Sequence, residues 1–357
     1  MKQRDPASPG CSRGGRRRRR LPRLVLGGAL LCGAVPADAA RIEIAWPTVN
    51  PAYAQNRPLE EFVQPTESGE VTSGLFGCVR TNGNQFHEGL DLTPVARDRR
   101  GEATDDIFAV LPGIVRHVSR RAGNSSYGRY VVLEHPDQSP AVYTLYAHLS
   151  AIADGLQPGD TVERSQVIGT MGRSAGGYTI PRDRAHLHFE IGLRLSDDFQ
   201  AWYDWKKFGS RNEHGLWNGM NLVGIDALEF YSLFRDRRVD NFADYFRQLP
   251  EAVRLRIATN RVPDFIRRYP VLRVGEIPEE PTAGWEVAFN GFGVPFSWRA
   301  LVPSEVDGYK PNEVRIVATD DAVLRACRCK DLTRKVRGRL QPDDDLQAAL
   351  QLLFGLR

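Results

Sequence analysis

Between about residues 70 and 195 the chain consists of short apolar runs rich in valine, isoleucine and tyrosine, each bounded by glycine, proline, asparagine or aspartate. Such runs have the composition and length of β-strands, and turn residues between them return the chain in the opposite direction. We therefore expect a mainly β domain built on antiparallel sheet. The runs are DIFAVLPGIVRHVSR, YGRYVVLEHP, AVYTLYAHLS, TVERSQVIGTMG and AHLHFEIGL.

The chain has 357 residues, more than one compact domain usually needs. Residues 40–69 are proline-rich and predict an extended lead-in. The β domain is expected over residues 70–235, with an aromatic-rich insertion at 196–220 and a closing strand and helix in NLVGI and DALEFYSLFRD. Residues 236–357 are predicted to form a second module of unknown function.

The C-terminal module shows mixed patterns, which predict an α+β fold. The stretch NFADYFRQLPEAVRLRIATNRVPDFIRRY looks helical in pieces, and WEVAFNGFGVPFSWRALV looks like strands. The segment DDDLQAALQLLFGL predicts a short amphipathic helix, because acidic residues in a first turn favour the helix dipole.

Residues 1–39 have the layout of a secretory signal peptide. A basic stretch, RGGRRRRR, precedes the apolar run LVLGGALLCGAV and the A-x-A site Ala37-Asp38-Ala39. The run is too short to span a bilayer comfortably, so we expect export to the periplasm, cell envelope or exterior. The open alternative is a disordered basic tail before a short core helix. Lipoprotein anchoring at Cys32 is not expected, because Leu31 is larger than the residue usually found there.

The formal net charge of +4 is concentrated at the N-terminus. Beyond residue 40 the chain carries 39 Lys and Arg against 42 Asp and Glu, a net charge of −3. Nucleic acid is therefore not an expected partner. No later segment is long and apolar enough for an integral membrane helix.

Three cysteines lie beyond the signal region: Cys78, Cys327 and Cys329. An odd number in an exported chain allows one disulfide and one free thiol. Cys327 and Cys329 are too close to pair easily with each other, so a bridge from Cys78 to either one stays open. A second metal site at Cys-Arg-Cys is not favoured, because two thiolates need further ligands.

Four of the seven histidines and one aspartate stand in the motifs FHEGLDL, LYAHLS and AHLHFEI: His87, Asp91, His148, His186 and His188. In a strand, residues i and i+2 share a face, so His186 and His188 should face one spot while Leu187 and Phe189 enter the core. Gly89 permits close backbone approach between the first two motif residues. Three nitrogen or oxygen ligands with one open position are typical of catalytic zinc. The alternative is a set of surface or hydrogen-bonded core side chains.

In this order, the three motifs resemble the signature of lysostaphin/LytM-type zinc endopeptidases. The intervening AVLPGIVRHV, YGRYVVLEHP and LQPGDTVERSQVIGTMG fit as well, and the resemblance spans about residues 70–195, with closure near 221–231. It implies one Zn²⁺ per chain, bound by His87, Asp91 and His188. It also implies that His148 and His186 act on the zinc-bound water and the transition state. The remaining histidines lie outside the motifs: His117, His135 and His214.

Two departures from the family pattern concern the turns around the site. Ser165 stands where the family commonly has glycine, and the loop GRSAGGYTIPRDRAHLHFE is longer and more charged than usual. Its arginines are Arg173, Arg182 and Arg184. They are expected either to read carboxylates of a stem peptide, such as diaminopimelate, or to be ordinary surface charge.

The resemblance implies an exported zinc metalloendopeptidase that hydrolyses peptide bonds in peptidoglycan stems or cross-links. Its partner is then a peptidoglycan peptide, with a regulatory partner of the C-terminal module left open. The alternative is a non-catalytic LytM-like domain that binds and activates another wall hydrolase, although such domains typically lose zinc ligands. A lipoyl-type carrier is a third reading, but no lysine stands at a suitable hairpin tip.

Overall fold

The computed structural model describes residues 41–276 and 278–356, so the predicted signal peptide lies outside the described residues. The motif-bearing half consists of short strands: β1 Gly77–Arg80, β2 Gln85–His87, β3 Leu90–Leu92, β4 Asp106–Phe108, β5 Gly113–Ser119, β6 Tyr130–Glu134, β7 Tyr143–Ala147, β8 Ala151–Ile152, β9 Thr161–Val162, β10 Val167–Thr170, β11 Leu187–Arg194 and β12 Leu222–Ile225. All their pairings are antiparallel. The prediction of a mainly β, antiparallel domain is confirmed.

The largest sheet has seven strands in the order β12-β11-β7-β6-β5-β9, and β3 also pairs with β11. Strand β11 is therefore central: it is flanked by β7 on one side, and by β3 and then β12 on the other. A smaller sheet has the order β4-β10-β8, and β1 pairs with β2 as a hairpin. Burial of every residue of β11 explains its continuous apolar character apart from the histidine and charged positions.

Three α-helices follow β11 in the chain: α1 Phe199–Lys206, α2 Ala227–Arg235 and α3 Phe242–Arg247. The first of them lies in the insertion. Helix α2 starts where Asp226 accepts a hydrogen bond from the backbone N–H of Glu229, a standard N-cap. Phe230 and Phe242 from the last two helices stack at 4.4 Å between ring centroids. The predicted closing strand and helix at 221–231 are present.

The C-terminal residues contain β13 Val253–Ala258, α4 Asp264–Arg268, β14 Gly284–Phe289, β15 Pro295–Leu301, β16 Val314–Thr319, α5 Asp321–Ala326, β17 Thr333–Val336, β18 Arg339–Pro342 and α6 Asp344–Phe354. Four of these strands form an antiparallel sheet in the order β15-β14-β13-β16, and β17 pairs with β18. The mixed α+β prediction is confirmed, as are the two strands and the final helix. The stretch predicted to be helical in pieces contains α3 and α4, and β13 lies between them. In VRLRIA, buried Val253, Leu255 and Ile257 alternate with half-buried arginines, the period of a strand.

One hydrophobic core runs from Ala52 in the lead-in to Phe354 in α6. The lead-in packs Trp46 against Tyr53 at 4.2 Å and edge-on against Tyr231 at 5.0 Å. Helix α6 sets Phe354 against Trp298 of β15. The predicted division at residue 235 stays a prediction, and the hydrophobic core continues across that position. No helix within the described residues is long and apolar enough to cross a membrane.

A disulfide joins Cys78 in β1 to Cys329, and Cys327 is a buried free thiol. The sequence left open a bridge from Cys78 to either Cys327 or Cys329, and the structure contains the bridge to Cys329. Because 251 residues separate the two cysteines, the bond ties the β1–β2 hairpin to the C-terminal module.

Candidate metal centre

Strand register brings two of the predicted ligands together. On β11, His188 lies opposite Asp91 of β3 on one side and opposite Ala147 of β7 on the other. His87 ends β2, four residues before Asp91. A Cβ on Gly89 would lie 2.5 Å from the carbonyl oxygen of Phe189, so only glycine allows the chain to pass this close to β11.

Three donor atoms converge at the end of these strands. His87 Nε2 lies 3.1 Å from His188 Nδ1 and 3.2 Å from Asp91 Oδ1, and His188 Nδ1 lies 3.0 Å from Asp91 Oδ1. All three side chains are buried. They form a potential metal-binding group in the described part of the chain, with ligand atoms within 4.8 Å of one another.

The other ring nitrogens of these histidines are already engaged. His87 Nδ1 donates to the carbonyl oxygen of Leu75 at 2.6 Å, and His188 Nε2 donates to Glu190 Oε1 at 3.0 Å. When both rings are neutral, the lone pairs of His87 Nε2 and His188 Nδ1 therefore face the Asp91 carboxylate. Three acceptors so close repel one another unless a cation or an added proton lies between them.

Charges and hydrogen bonds tune the ligands. Burial alone would raise the pKa of Asp91, but His87, His186 and a hydrogen bond from His188 lower that pKa well below its usual range. Burial would likewise lower the pKa of His188, but hydrogen bonds to Asp91 and Glu190 raise it to about 9. The site therefore strongly favours positive charge at its centre.

The two remaining candidates, His148 and His186, lie beside this centre with ring centroids 4.7 Å apart. His148 Nδ1 donates to the carbonyl oxygen of Ser174 at 2.9 Å, and His186 Nδ1 donates to that of Arg184 at 2.7 Å. Burial, then the nearby His186 and His188, hold the pKa of His148 well below its usual value, and burial lowers the pKa of His186. Both rings are thus neutral at pH 7, with Nε2 left as the proton acceptor.

His148 has a left-handed backbone, with φ of +61°. A non-glycine residue in this conformation costs about 1–3 kcal/mol and occurs most often at functional sites. Hydrogen bonds from its own N–H to Tyr127 and from the N–H of Ser174 to its carbonyl hold it there. The strain turns the side chain at the end of β7 towards the other histidines.

Residues 85–198 match the family model described as Peptidase family M23. The matched stretch contains all five candidate residues. Residues 85–198 form a peptidase family M23 domain. The match confirms the resemblance found in the three motifs, whereas the metal-binding and catalytic roles of the five side chains stay predictions.

Several solved structures are similar to part of this chain. One is the catalytic domain of a mutant of the prophage-encoded M23 protein EnpA from Enterococcus faecalis, with 24% identity over 36% of this chain and 79% of that chain, and a TM-score of 0.26. Another is the catalytic domain of lysostaphin from Staphylococcus simulans, with 20% identity over 37% and 81% of the two chains and a TM-score of 0.25. A putative glycyl-glycine endopeptidase LytM from Ruminococcus gnavus has 26% identity over 30% and 40%, and a TM-score of 0.25. No curated protein sequence matches the chain.

A cleft of about 340 Å³ lies beside the centre, between the M23 domain and residues that precede it in the chain. Asp91, His148 and His186 line it, and its other lining residues come from the lead-in, from the end of β1 and from the loop before β11: Pro65, Thr66, Glu67, Arg80, Tyr178, Thr179, Ile180, Pro181 and Arg184. An extended peptide can therefore reach the three polar side chains from solvent.

Sequence reasoning missed two charged groups of the M23 site. Glu190 accepts hydrogen bonds from Tyr127 and Tyr143 as well as from His188, and the period of two along β11 would have placed it on the histidine face. Arg80 Nη2 lies 2.6 Å from Asp91 Oδ2, a contact that no local pattern indicates.

The three other histidines take no part in the centre. His135 Nδ1 donates to the carbonyl oxygen of Pro112, and its Nε2 is hydrogen-bonded with the hydroxyl of Thr144, each at 2.8 Å. His214 lies within the insertion and contacts Tyr130 and His117, which lie outside it. Within the insertion, Trp202, Tyr203 and Trp217 are buried, while Trp205 and Phe208 are partly exposed.

Proposed function

We propose that this protein is a zinc metalloendopeptidase that hydrolyses peptide bonds in peptidoglycan stems or cross-links. The observation that carries the proposal is the convergence of His87 Nε2, Asp91 Oδ1 and His188 Nδ1 within 3.2 Å of one another in a buried site whose Asp91 lines an open cleft. The M23 family match and the predicted resemblance to wall-cutting enzymes support the choice of peptide substrate.

The donor set fits zinc. Two imidazoles and a carboxylate are preferred zinc ligands, and ligand atoms about 2.0–2.1 Å from a tetrahedral ion lie about 3.3–3.4 Å apart. The observed separations of 3.0–3.2 Å agree to within a few tenths of an ångström. Three protein ligands leave a fourth position, as catalytic zinc sites do. When bound, the ion would polarise the scissile carbonyl and make water a nucleophile at neutral pH.

His148 and His186 supply the proton transfers of hydrolysis. Each neutral ring has a free Nε2, because its Nδ1–H donates to a backbone carbonyl. One Nε2 accepts the proton that water loses as its oxygen bonds to the carbonyl carbon, and a protonated ring returns it to the departing amine as the C–N bond breaks. The other ring can donate to the developing oxyanion after its Nε2 takes up a proton from solvent, which it returns to solvent when the product leaves.

We also propose that the protein acts outside the cytoplasm, after removal of residues 1–39. The disulfide between Cys78 and Cys329 supports this proposal, because such bonds persist in oxidising compartments. N-terminal sequencing of the protein recovered from fractionated cells should begin just after Ala39. Intact Met1 in a cytoplasmic fraction would contradict export.

The test of function combines metal content with product analysis. The wild-type protein should contain one zinc per chain and release peptides from purified peptidoglycan sacculi, with the cut bond identified by mass spectrometry of the muropeptides. His188→Ala and Asp91→Ala should lose the zinc and the activity, whereas His148→Ala should keep the zinc and lose turnover. Full cleavage by any of these variants would refute the assignment. Zinc-free, inactive wild-type protein that stimulates another wall hydrolase would instead support the activator role.

A further inference from the structure

The loop before β11 places one arginine directly beside the proposed catalytic histidines. Arg184 ends a short 3-10 turn, Arg182–Arg184, and its carbonyl oxygen accepts the hydrogen bond from His186 Nδ1. Its side chain lines the same cleft as Asp91 and His148. The backbone of Arg184 is therefore hydrogen-bonded to His186, one of the two proposed catalytic histidines.

The guanidinium of Arg184 is only weakly engaged. Among the described residues it makes no side-chain hydrogen bond, and its nearest carboxylate is Glu67, with Oε2 3.9 Å from Nη2. The Glu67 side chain is 92% exposed, whereas that of Arg184 is 29% exposed. An ion pair this long, with one partner almost fully exposed to solvent, holds the guanidinium loosely.

Each of the other two arginines of the loop has a close acidic partner. Arg173 binds both carboxylate oxygens of Glu102 at 2.8 and 2.9 Å, and Arg182 binds the same carboxylate at 3.0 Å. The ion pairs with Glu102 therefore give Arg173 and Arg182 a structural role in the loop. Of the three, Arg184 alone presents a guanidinium to the cleft without a close acidic partner.

We propose that Arg184 is a specificity-determining residue that binds a free carboxylate of the substrate within about one residue of the scissile bond. This inference rests on the proposed peptidase function. A planar guanidinium matches a carboxylate with two parallel hydrogen bonds, and partial burial strengthens that pairing. The exposed carboxylate of Glu67 is displaced as the substrate carboxylate binds. The enzyme then selects peptides with a free acid at this position over the corresponding carboxamides.

The experiment uses two peptidoglycan peptides that differ at one group, a free carboxylate or its carboxamide next to the cut bond. The wild-type protein should cleave the acid with a kcat/KM at least tenfold higher than that of the amide. Arg184→Gln should lower kcat/KM for the acid by about ten- to a hundredfold, the range of a charge-assisted hydrogen bond. The same variant should leave cleavage of the amide and the zinc content unchanged. Arg184→Lys should keep part of the preference, because the charge remains without the planar fork.

Arg182→Gln is the matched control. It removes the same charge from the same turn, but its guanidinium serves Glu102, so the acid-to-amide ratio should stay that of the wild type. Equal wild-type rates on acid and amide would overturn the role of Arg184 while leaving the peptidase function intact. An equal loss on both substrates in Arg184→Gln would show a merely structural role and overturn the inference. Zinc-loaded wild-type protein that cleaves neither peptide nor sacculi would overturn the proposed function and, with it, this inference.

Discussion

Each ligand imidazole of the proposed centre is oriented by its second ring nitrogen. His87 is fixed by the carbonyl oxygen of Leu75, and His188 is fixed by Glu190. Such partners determine which nitrogen carries the proton and how basic the other becomes. The structure therefore accounts for the orientation of the donor atoms as well as for their proximity.

Glu190 is the contact whose removal is most informative. Its buried carboxylate accepts from Tyr127 at 2.6 Å, Tyr143 at 2.8 Å and His188 at 3.0 Å. In Glu190→Gln the amide N–H₂ must face one of three donors, and His188 loses its negatively charged acceptor. We expect zinc affinity to fall about 10- to 100-fold, measured by competition with a chelator. Tyr143→Phe, which keeps the carboxylate, should lose less; equal affinity in Glu190→Gln and wild type would contradict this role.

Gly89 is required by close packing between β3 and β11. A Cβ there would lie 2.5 Å from the carbonyl oxygen of Phe189 and 3.0 Å from the His188 ring. Gly89→Ala must separate the two strands, and we expect a loss of about 1–3 kcal/mol in the free energy of unfolding, together with weaker zinc binding. Gly123→Ala is the control: a Cβ at Gly123 meets nothing within 4 Å, so denaturant unfolding should change by less than about 0.5 kcal/mol. Equal stability of the two variants would contradict the packing argument.

The β1–β2 hairpin carries His87 and is held from outside the M23 domain. The disulfide from Cys78 to Cys329 anchors it, and Arg328 donates to the backbone carbonyls of Asn82 and Gly83 at its tip. Aromatic contacts of Phe292 with Phe76 and Phe86 continue this contact surface. One proposed ligand thus depends on the C-terminal module for its position.

Removal of the disulfide should destabilise the protein. Cys78→Ser with Cys329→Ser should lower the free energy of unfolding by about 2–5 kcal/mol, because the cross-link restricts the unfolded chain. The measurement is guanidinium unfolding under non-reducing conditions, and Cys327→Ala, which leaves the bond intact, is the control. Trypsin separates the two neighbouring cysteines at Arg328, so a non-reducing peptide map should show Cys78 linked to the Cys329 peptide. A link to the Cys327 peptide would contradict the pairing.

The core shared by the M23 domain and the C-terminal residues implies that the described chain unfolds as one unit. Apolar side chains from the lead-in, the seven-stranded sheet and α6 belong to one cluster. Burial of so much common surface makes separate unfolding of the two parts unfavourable. Because the core is continuous, protonation of a buried group in either part should change the free energy of unfolding of the whole described chain.

Stability should fall as pH decreases from about 6.5 to about 4. Burial lowers the pKa of His117 and of His135 to about 4, so both stay neutral in the folded protein over this interval. The unfolded chain binds protons at the ordinary histidine pKa of about 6.5 and therefore binds more of them, so stability rises with pH. We expect a loss of roughly 2–3 kcal/mol for each histidine across this window.

Thermal unfolding at several pH values measures this effect. His135→Gln removes one of the two groups, so its melting temperature should be lower at pH 7 but should decline less steeply on acidification. The wild-type protein is the control, because the acid sensitivity that comes from all other groups is the same in both proteins. An identical slope in variant and wild type would exclude His135 as a contributor.

The local pattern was sufficient for the strands of the M23 domain, for NLVGI and DALEFYSLFRD, and for the last helix. Alternation and turn residues depend on neighbours in sequence, which is why they predict such elements. The motif spacing likewise identified five side chains that the structure brings to one place. Ser165 illustrates the same point in a turn: it adopts φ of +66°, the left-handed conformation that explains why glycine is common there in the resembling family.

Other features depended on residues far apart in the chain. No local signal paired Cys78 with Cys329 rather than Cys327, placed Arg80 against Asp91, or left Arg184 without the acidic partner that Arg182 has. The continuous core across residue 235 is of the same kind. Periodicity records which face of an element is apolar, but which faces meet is decided by packing and charge summed over the whole chain. The residue types and spacing of the proposed site were therefore legible in the sequence, whereas its donor orientation, its supporting contacts and the shape of its cleft arose only when distant segments packed together.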